Sequence, residues 1–296
     1  ARAAMEVKAR DLGLNIAPGA YVHLLPNIAG YVGADHVAMI LATRLAESNG
    51  VALALDIGTN TEICLNCRGK MTSVSCASGP AFEGAHIKFG MRAAPGAIEH
   101  ILLTGEKLEY QTIGGGAPVG VCGSGLLDAV AQLRLNDVLD RQGRMGNHAR
   151  VRVQNGTREF VIVRDAERER NGLDAITISQ KDVRELQLAK AAIRLGIQSL
   201  VEARGLTERD IEQVIIAGAF GAFIDVSSAI TIGMLPRLPL ERFKQVGNAA
   251  GTGARLALIS REQRAKAERI AERVGYLELA SVPNFNRKFA AATYLG

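Results

Sequence analysis

The apolar run 51–55, followed directly by Asp56-Ile57-Gly58-Thr59-Asn60-Thr61-Glu62, constrains this chain more than any other stretch. A run of that kind makes a buried strand, and here the strand stops in a carboxylate and a tight polar turn. Gly58 lets the backbone turn so that successive N–H groups face an anion. Thr59, Asn60 and Thr61 add side-chain donors. Asp56 stands where a hydrated divalent cation would bridge to phosphate oxygens, which makes it the candidate Mg²⁺ residue. The pattern suits polyphosphate, although Asp-x-Gly-Thr also occurs as an ordinary strand-to-turn junction.

Two further strands are expected at once, over 61–67 and 71–76, with Arg68-Gly69-Lys70 as the turn between them. A buried strand with an acidic phosphate turn, continued as an antiparallel meander, is the opening of a ribonuclease-H-like α/β lobe. Composition agrees: of 296 residues, 48% are hydrophobic, 32 are Gly and none is Trp, which suits many tight turns and close helix contacts.

The net charge of +5 does not indicate nucleic acid, because basic residues alternate with acids and no aromatic-interleaved basic stripe occurs. The cysteines (Cys64, Cys67, Cys76, Cys122) have no disulfide-framework spacing, so a cytoplasmic setting is expected. Cys64 and Cys67, three apart on a strand, face opposite sides and cannot share an ion. The longest apolar run, 214–224, is too short for a bilayer, so no membrane association is expected.

A second buried strand, Gln213–Ala217, ends in Gly218-Ala219-Phe220-Gly221, where bare backbone admits a flat ring or a sugar. Two such turns, each after a buried strand, can converge at the carboxyl ends of a sheet. Gly79 belongs to a tight loop after the meander. The glycines at 120, 123 and 125 are read as a structural turn into a helix over 126–139, because they lack the Lys of a phosphate loop. A hairpin is expected at 151–153 and 160–163 around Asn155-Gly156, a loop over 165–174, and a long helix at Gln180–Ala203 started by Ser179 or Asp182. Small residues at 30–38 and 247–254 predict two helices, over 35–47 and 249–260, that approach closely and form a sliding hinge between lobes.

The strand with D-I-G-T-N-T-E, the A-G-A-F-G turn and the paired small-residue helices resemble the actin, sugar-kinase and heat-shock-chaperone ATPase superfamily. The segments L-P-N-I-A-G-Y-V-G-A-D (25–35), G-M-R-A-A-P-G-A-I-E (90–99), C-G-S-G-L-L-D-A (122–129) and V-G-N-A-A-G (246–251) are similar to the reductive activators of corrinoid proteins. That resemblance implies an actin-like ATPase fold, with a mixed sheet and helices on both faces, as the C-terminal part of a two-lobed ATPase. Residues 1–50 would then end the first lobe and supply a connecting helix. Residues 51–246 would form the second lobe, and 247–296 would return to the first.

The resemblance also implies ATP with Mg²⁺, a corrinoid protein partner, a homodimer, and a [2Fe–2S] domain upstream of residue 1. Under it, 56–62 is the second phosphate turn, 217–221 the adenosine turn, and Asp35 a candidate for orienting the attacking water. Thr61 would donate to phosphate, and the methyl of Ala219 would crowd the nucleoside. Two alternatives stand beside this reading. One is a docking or dimerisation module without ATPase activity. The other is an activator of 2-hydroxyacyl-CoA dehydratases, with Cys76 and Cys122 supplying ligands to a cluster between subunits.

Overall fold

The structure, a computed structural model, describes residues 3–164 and 174–296. The loop expected over 165–174 lies, except for its last residue, outside the described residues. The chain opens with a hairpin, β1 (Met5–Lys8) and β2 (Tyr21–Leu24), before α1 (Ala34–Thr43). The meander follows as β3 (Val51–Asp56), β4 (Thr61–Cys67) and β5 (Lys70–Cys76). A small sheet of β6 (Ala97–Thr104), β7 (Lys107–Thr112) and β8 (Gly120–Val121) leads into α2 (Gly123–Leu135). Another, of β9 (Val151–Gln154), β10 (Thr157–Val163) and β11 (Ile176–Ser179), leads into α3 (Gln180–Ala203). Then come β12 (Gln213–Ala217), α4 (Val226–Thr231), β13 (Phe243–Gly247), α5 (Ala249–Ile259), α6 (Arg261–Arg273), β14 (Gly275–Tyr276) and α7 (Phe285–Ala292).

The central sheet runs β13-β12-β3-β4-β5-β14. Its meander is antiparallel, while β12 lies parallel to both β3 and β13. This is the strand pattern expected of a ribonuclease-H-like lobe. Its two faces differ because the strands alternate in size. Ala52, Ala54 and Ala217 point to the α1 side with Cys64 and Met71, and Val37, Met39, Ile40 and Leu41 of α1 join them in one core. Val51, Leu53, Leu55, Ile63, Leu65 and Val74 point the other way, into a larger core shared with α2 and α3. A period of two therefore sorts thin from thick side chains.

The thin face permits close helix contact. A Cβ at Gly253 of α5 would lie 1.9 Å from the Ala38 carbonyl oxygen, so α5 crosses α1 almost backbone to backbone. The small residues of these two segments meet as their sequences predict. On the thick face, Gly196 of α3 leaves room for Cys76, whose sulfur would sit 2.3 Å from an added Cβ. Ser179 caps α3 and Asp182 returns the bond to the Ser179 N–H, which satisfies two end donors reciprocally. The small-residue helix ends at Ser260, which also caps α6 through the Gln263 N–H. Near the end of the chain β14 pairs with β5, and α7 packs on α3.

Candidate functional site

Because β3 and β12 are parallel neighbours, their carboxyl ends open side by side on one sheet edge. Ala217 is the register partner of Asp56, and the Ile57 N–H donates to the Ala217 carbonyl at 3.2 Å. Gly218 turns away at a φ of 93°, a left-handed conformation that favours glycine. A Cβ there would stand 2.5 Å from the Ile57 carbonyl oxygen and 2.9 Å from Asp56 Oδ1. The two turns thus abut.

Gly58, Thr59 and Asn60 are exposed. The loop after β5 braces them: the Gly79 N–H donates to the Thr59 carbonyl at 2.9 Å, and the Ser78 hydroxyl to the Gly58 carbonyl at 3.1 Å. Thr61 belongs elsewhere. Its side chain is fully buried and its hydroxyl lies 2.8 Å from Ser78 Oγ, so it holds the loop and does not reach the ligand side. Register explains the difference, since Thr61 is already the first residue of β4 and points inward. The Thr59 hydroxyl donates to the Glu83 carboxylate.

Asp56 is partly buried, and its carboxylate accepts no hydrogen bond among the described residues. Burial, and secondarily the charge of Asp35, pushes its carboxyl up to about 6. Glu62 is pushed up to about 7, again first by burial, with Asp35 and Asp56 adding to it against the opposing Ser75 hydrogen bond. A carboxylate without side-chain donors beside a tight polar turn could hold a hard divalent cation. Among the described residues no three or more His, Cys, Asp or Glu side chains are assembled to hold a metal.

Beside the turns opens a cleft of about 420 Å³, walled by Ile57 and Gly58 on one side and Ala219 and Phe220 on another. Phe220 stacks on Phe82 at 4.5 Å between ring centroids, giving the cleft an aromatic floor. Ala219 is exposed in its wall. Gly221 serves closure of the turn, since a Cβ would lie 2.2 Å from the Ala217 carbonyl oxygen.

Sequence reasoning missed Phe82, Glu83, Arg92, Cys122, Ser124 and Phe223, all of which line this cleft. They arrive from separate segments without periodicity, and the motifs at 90–99 and 122–129 marked Arg92, Cys122 and Ser124 as part of a resemblance without placing them at a site. The glycines at 120, 123 and 125 do pack closely, with a Cβ at Gly123 falling 1.9 Å from the Phe82 carbonyl oxygen. Asp35 lies outside the cleft. It sits in the first turn of α1, accepts from the His36 N–H at 2.9 Å, and lines a separate cavity of about 530 Å³ with Ala250 and Gly251.

The cysteines offer no cluster. Cys76 is buried beneath α3 and Cys122 is 2% exposed, so neither presents a ligand at a surface two subunits would share. Cys64 and Cys67 belong to opposite faces of the sheet, and burial pushes the Cys64 thiol up to about 12. Among the described residues, no helix is long and apolar enough to cross a membrane.

A meander with two abutting glycine turns beside a cleft defines one lobe of an actin-like ATPase. Residues 50–296 match the C-terminal domain of RACo, the ASKHA domain, and residues 1–48 match the RACo middle region. The chain belongs to the RACo family. It is 39% identical to the corrinoid activation enzyme RamQ of Eubacterium limosum, over 99% of this chain and 50% of that protein. It is 27% identical to the [Co(II) methylated amine-specific corrinoid protein] reductase of Methanosarcina barkeri, over 88% of this chain and 49% of the relative. A solved reductive activator for corrinoid, iron-sulfur protein superposes with a TM-score of 0.89 at 39% identity, covering 98% of this chain and 47% of the other. The chain spans about half the length of these relatives.

Proposed function

We propose that this chain is the ATP-binding part of a reductive activator that returns a corrinoid protein from Co(II) to Co(I). The observation that bears most of the weight is the contact between the Asp56 and Gly218 turns beside an aromatic-floored cleft. In this reading Gly58, Thr59, Asn60 and Gly79 form or brace the phosphate turn. Asp56 holds Mg²⁺ through water, and the turn from Gly218 to Gly221 receives the nucleoside. The names of the relatives supply the corrinoid partner.

Reduction of Co(II) consumes one electron, which an upstream [2Fe–2S] domain would deliver. ATP assists only by favouring a conformation in which that transfer is easier, because a ligand shifts an equilibrium by no more than its differential affinity. Asp35, in the first turn of α1, is proposed to orient a water once the first lobe closes over the turn. The α1–α5 crossing is proposed as the sliding contact of that closure, and a homodimer as the assembly. Calorimetric titration with Mg-ATP decides the assignment: wild-type protein binds, and Asp56→Ala binds at least tenfold more weakly. Equal binding by both removes Asp56 from the site.

A further inference from the structure

A larger concavity, about 780 Å³, shares no lining residue with the nucleotide cleft. It lies between the loop after α2, the β9–β10 turn, the N-terminus of α3 and the tail at 293–294. Four cations line it, Arg144, Arg158, Lys181 and Arg184, and no carboxylate does. We propose that this cleft docks an acidic segment of a partner protein.

Among the described residues this charge is unpaired. Some basic side chains of this lobe do find carboxylates: Lys88 and Arg152 pair with Glu159, Arg194 with Glu208, and Lys288 with Glu202. None of the four cleft cations has a carboxylate within ion-pair distance among the described residues. Nearby acids are engaged otherwise. Asp140 accepts from the Arg144 backbone N–H at 2.8 Å, and buried Asp182 caps α3 and accepts from the Lys88 N–H. The N-terminus of a 24-residue helix adds positive potential of the same sign.

The frame beneath the cations is fixed. Gln187, 2% exposed, donates to the Gln142 and Thr293 carbonyls at 3.0 and 2.9 Å, which ties the loop and the tail to α3. Gln180 donates to the Gly143 carbonyl and accepts from the Met145 N–H. Arg158 is held by the Gly146 carbonyl and Asn147. Tyr294, half exposed at the rim, adds the aromatic surface that protein interfaces favour. A wide polar trough with four spread cations fits several carboxylates along a chain better than one compact anion.

The test uses a fluorescein-labelled deca-glutamate peptide and its anisotropy on titration with the protein. Wild-type protein binds, and binding weakens between about 50 and about 300 mM salt as screening shortens the reach of the charges. Arg144→Glu with Arg184→Glu weakens binding on the order of tenfold or more. Arg144→Gln with Arg184→Gln weakens it by less, without introducing repulsion. Arg261→Glu with Arg269→Glu, on the exposed face of α6 and equal in charge change, leaves affinity within about twofold. Absence of binding overturns the proposal, as does equal weakening by the two double reversals. Tighter binding of tripolyphosphate than of peptide, lost in the Arg144/Arg184 variant, would reassign the cleft to a small anion.

Discussion

Gly218 stands so close to Asp56 that a methyl group on its Cα would be 2.9 Å from the carboxylate Oδ1. The same methyl would be 2.5 Å from the Ile57 carbonyl oxygen, and the backbone there has a φ of 93°. Contact and conformation both demand glycine. Gly218→Ala should therefore lower stability by about 1–3 kcal/mol and also weaken Mg-ATP binding, because relief of the clash pushes the two turns apart. Chemical denaturation paired with calorimetry checks both effects; an unaltered denaturation midpoint would contradict the geometry.

Asp56→Asn should separate stability from binding. The ionised carboxylate is a burden on the apo fold, since burial and Asp35 oppose its charge. Removing that charge should stabilise the protein at pH 8 by about 1 kcal/mol, allowing for partial exposure, while Mg-ATP affinity falls at least tenfold. A thermal melt and a titration on one preparation test the pair. Loss of both properties would make Asp56 a structural residue.

The pH dependence of binding follows from the same carboxyl. With its value near 6, Asp56 is mostly protonated at pH 5 and ionised at pH 7. Magnesium-dependent nucleotide affinity should rise through that interval and level off above it. Tripolyphosphate measured without metal should not show the rise.

Stability of the apo protein should respond to acid through opposed groups. Asp56 and Glu62 have folded values raised from 3.8 to about 6 and from 4.5 to about 7. The folded state therefore holds more protons than the unfolded one, and these two groups make stability fall as pH climbs through roughly 4 to 7. His36, buried and bonded to Ser73, is pushed down from 6.5 to about 3 by burial. Its contribution is present above about 6.5 and is lost as pH falls toward 3. In His36→Gln the acid-side loss should shrink, which urea denaturation from pH 4 to 8 would reveal.

Gly253→Val tests the α1–α5 crossing. Even the Cβ would overlap the Ala38 carbonyl oxygen, at 1.9 Å, so the helices must separate and the thin face must open. A loss of about 3 kcal/mol or more is expected. Leu258→Ala, on the exposed side of α5, should change stability by less than about 0.5 kcal/mol.

The meander and β12 of the central sheet were legible because their signals are local. The run into Asp56, the alternation through β4 and β5, and the capping pair Ser179/Asp182 each announce themselves within a few residues. The adjacency of 56 and 218 was expected from two glycine turns that each follow a buried strand; that those strands are parallel neighbours is what the fold adds. What escaped depends on long-range company. The β1–β2 hairpin, the β6–β7 hairpin and β13 have mixed patterns that owe their state to a neighbouring strand. Helix α2 starts at Gly123 and ends at Leu135, earlier at both ends than its apolar residues suggest. Its glycines are packing contacts within a regular helix, and Val138 and Leu139 fold back after it. Thr61 misled because residue type identified a donor while register buried it.

The hydroxyl of Thr59 is already committed to the Glu83 carboxylate, which belongs to the short turn Pro80–Glu83 that also holds Phe82 of the aromatic stack. A group that takes this hydroxyl must displace a carboxylate, so every acceptor arriving at the turn competes with one the protein supplies itself.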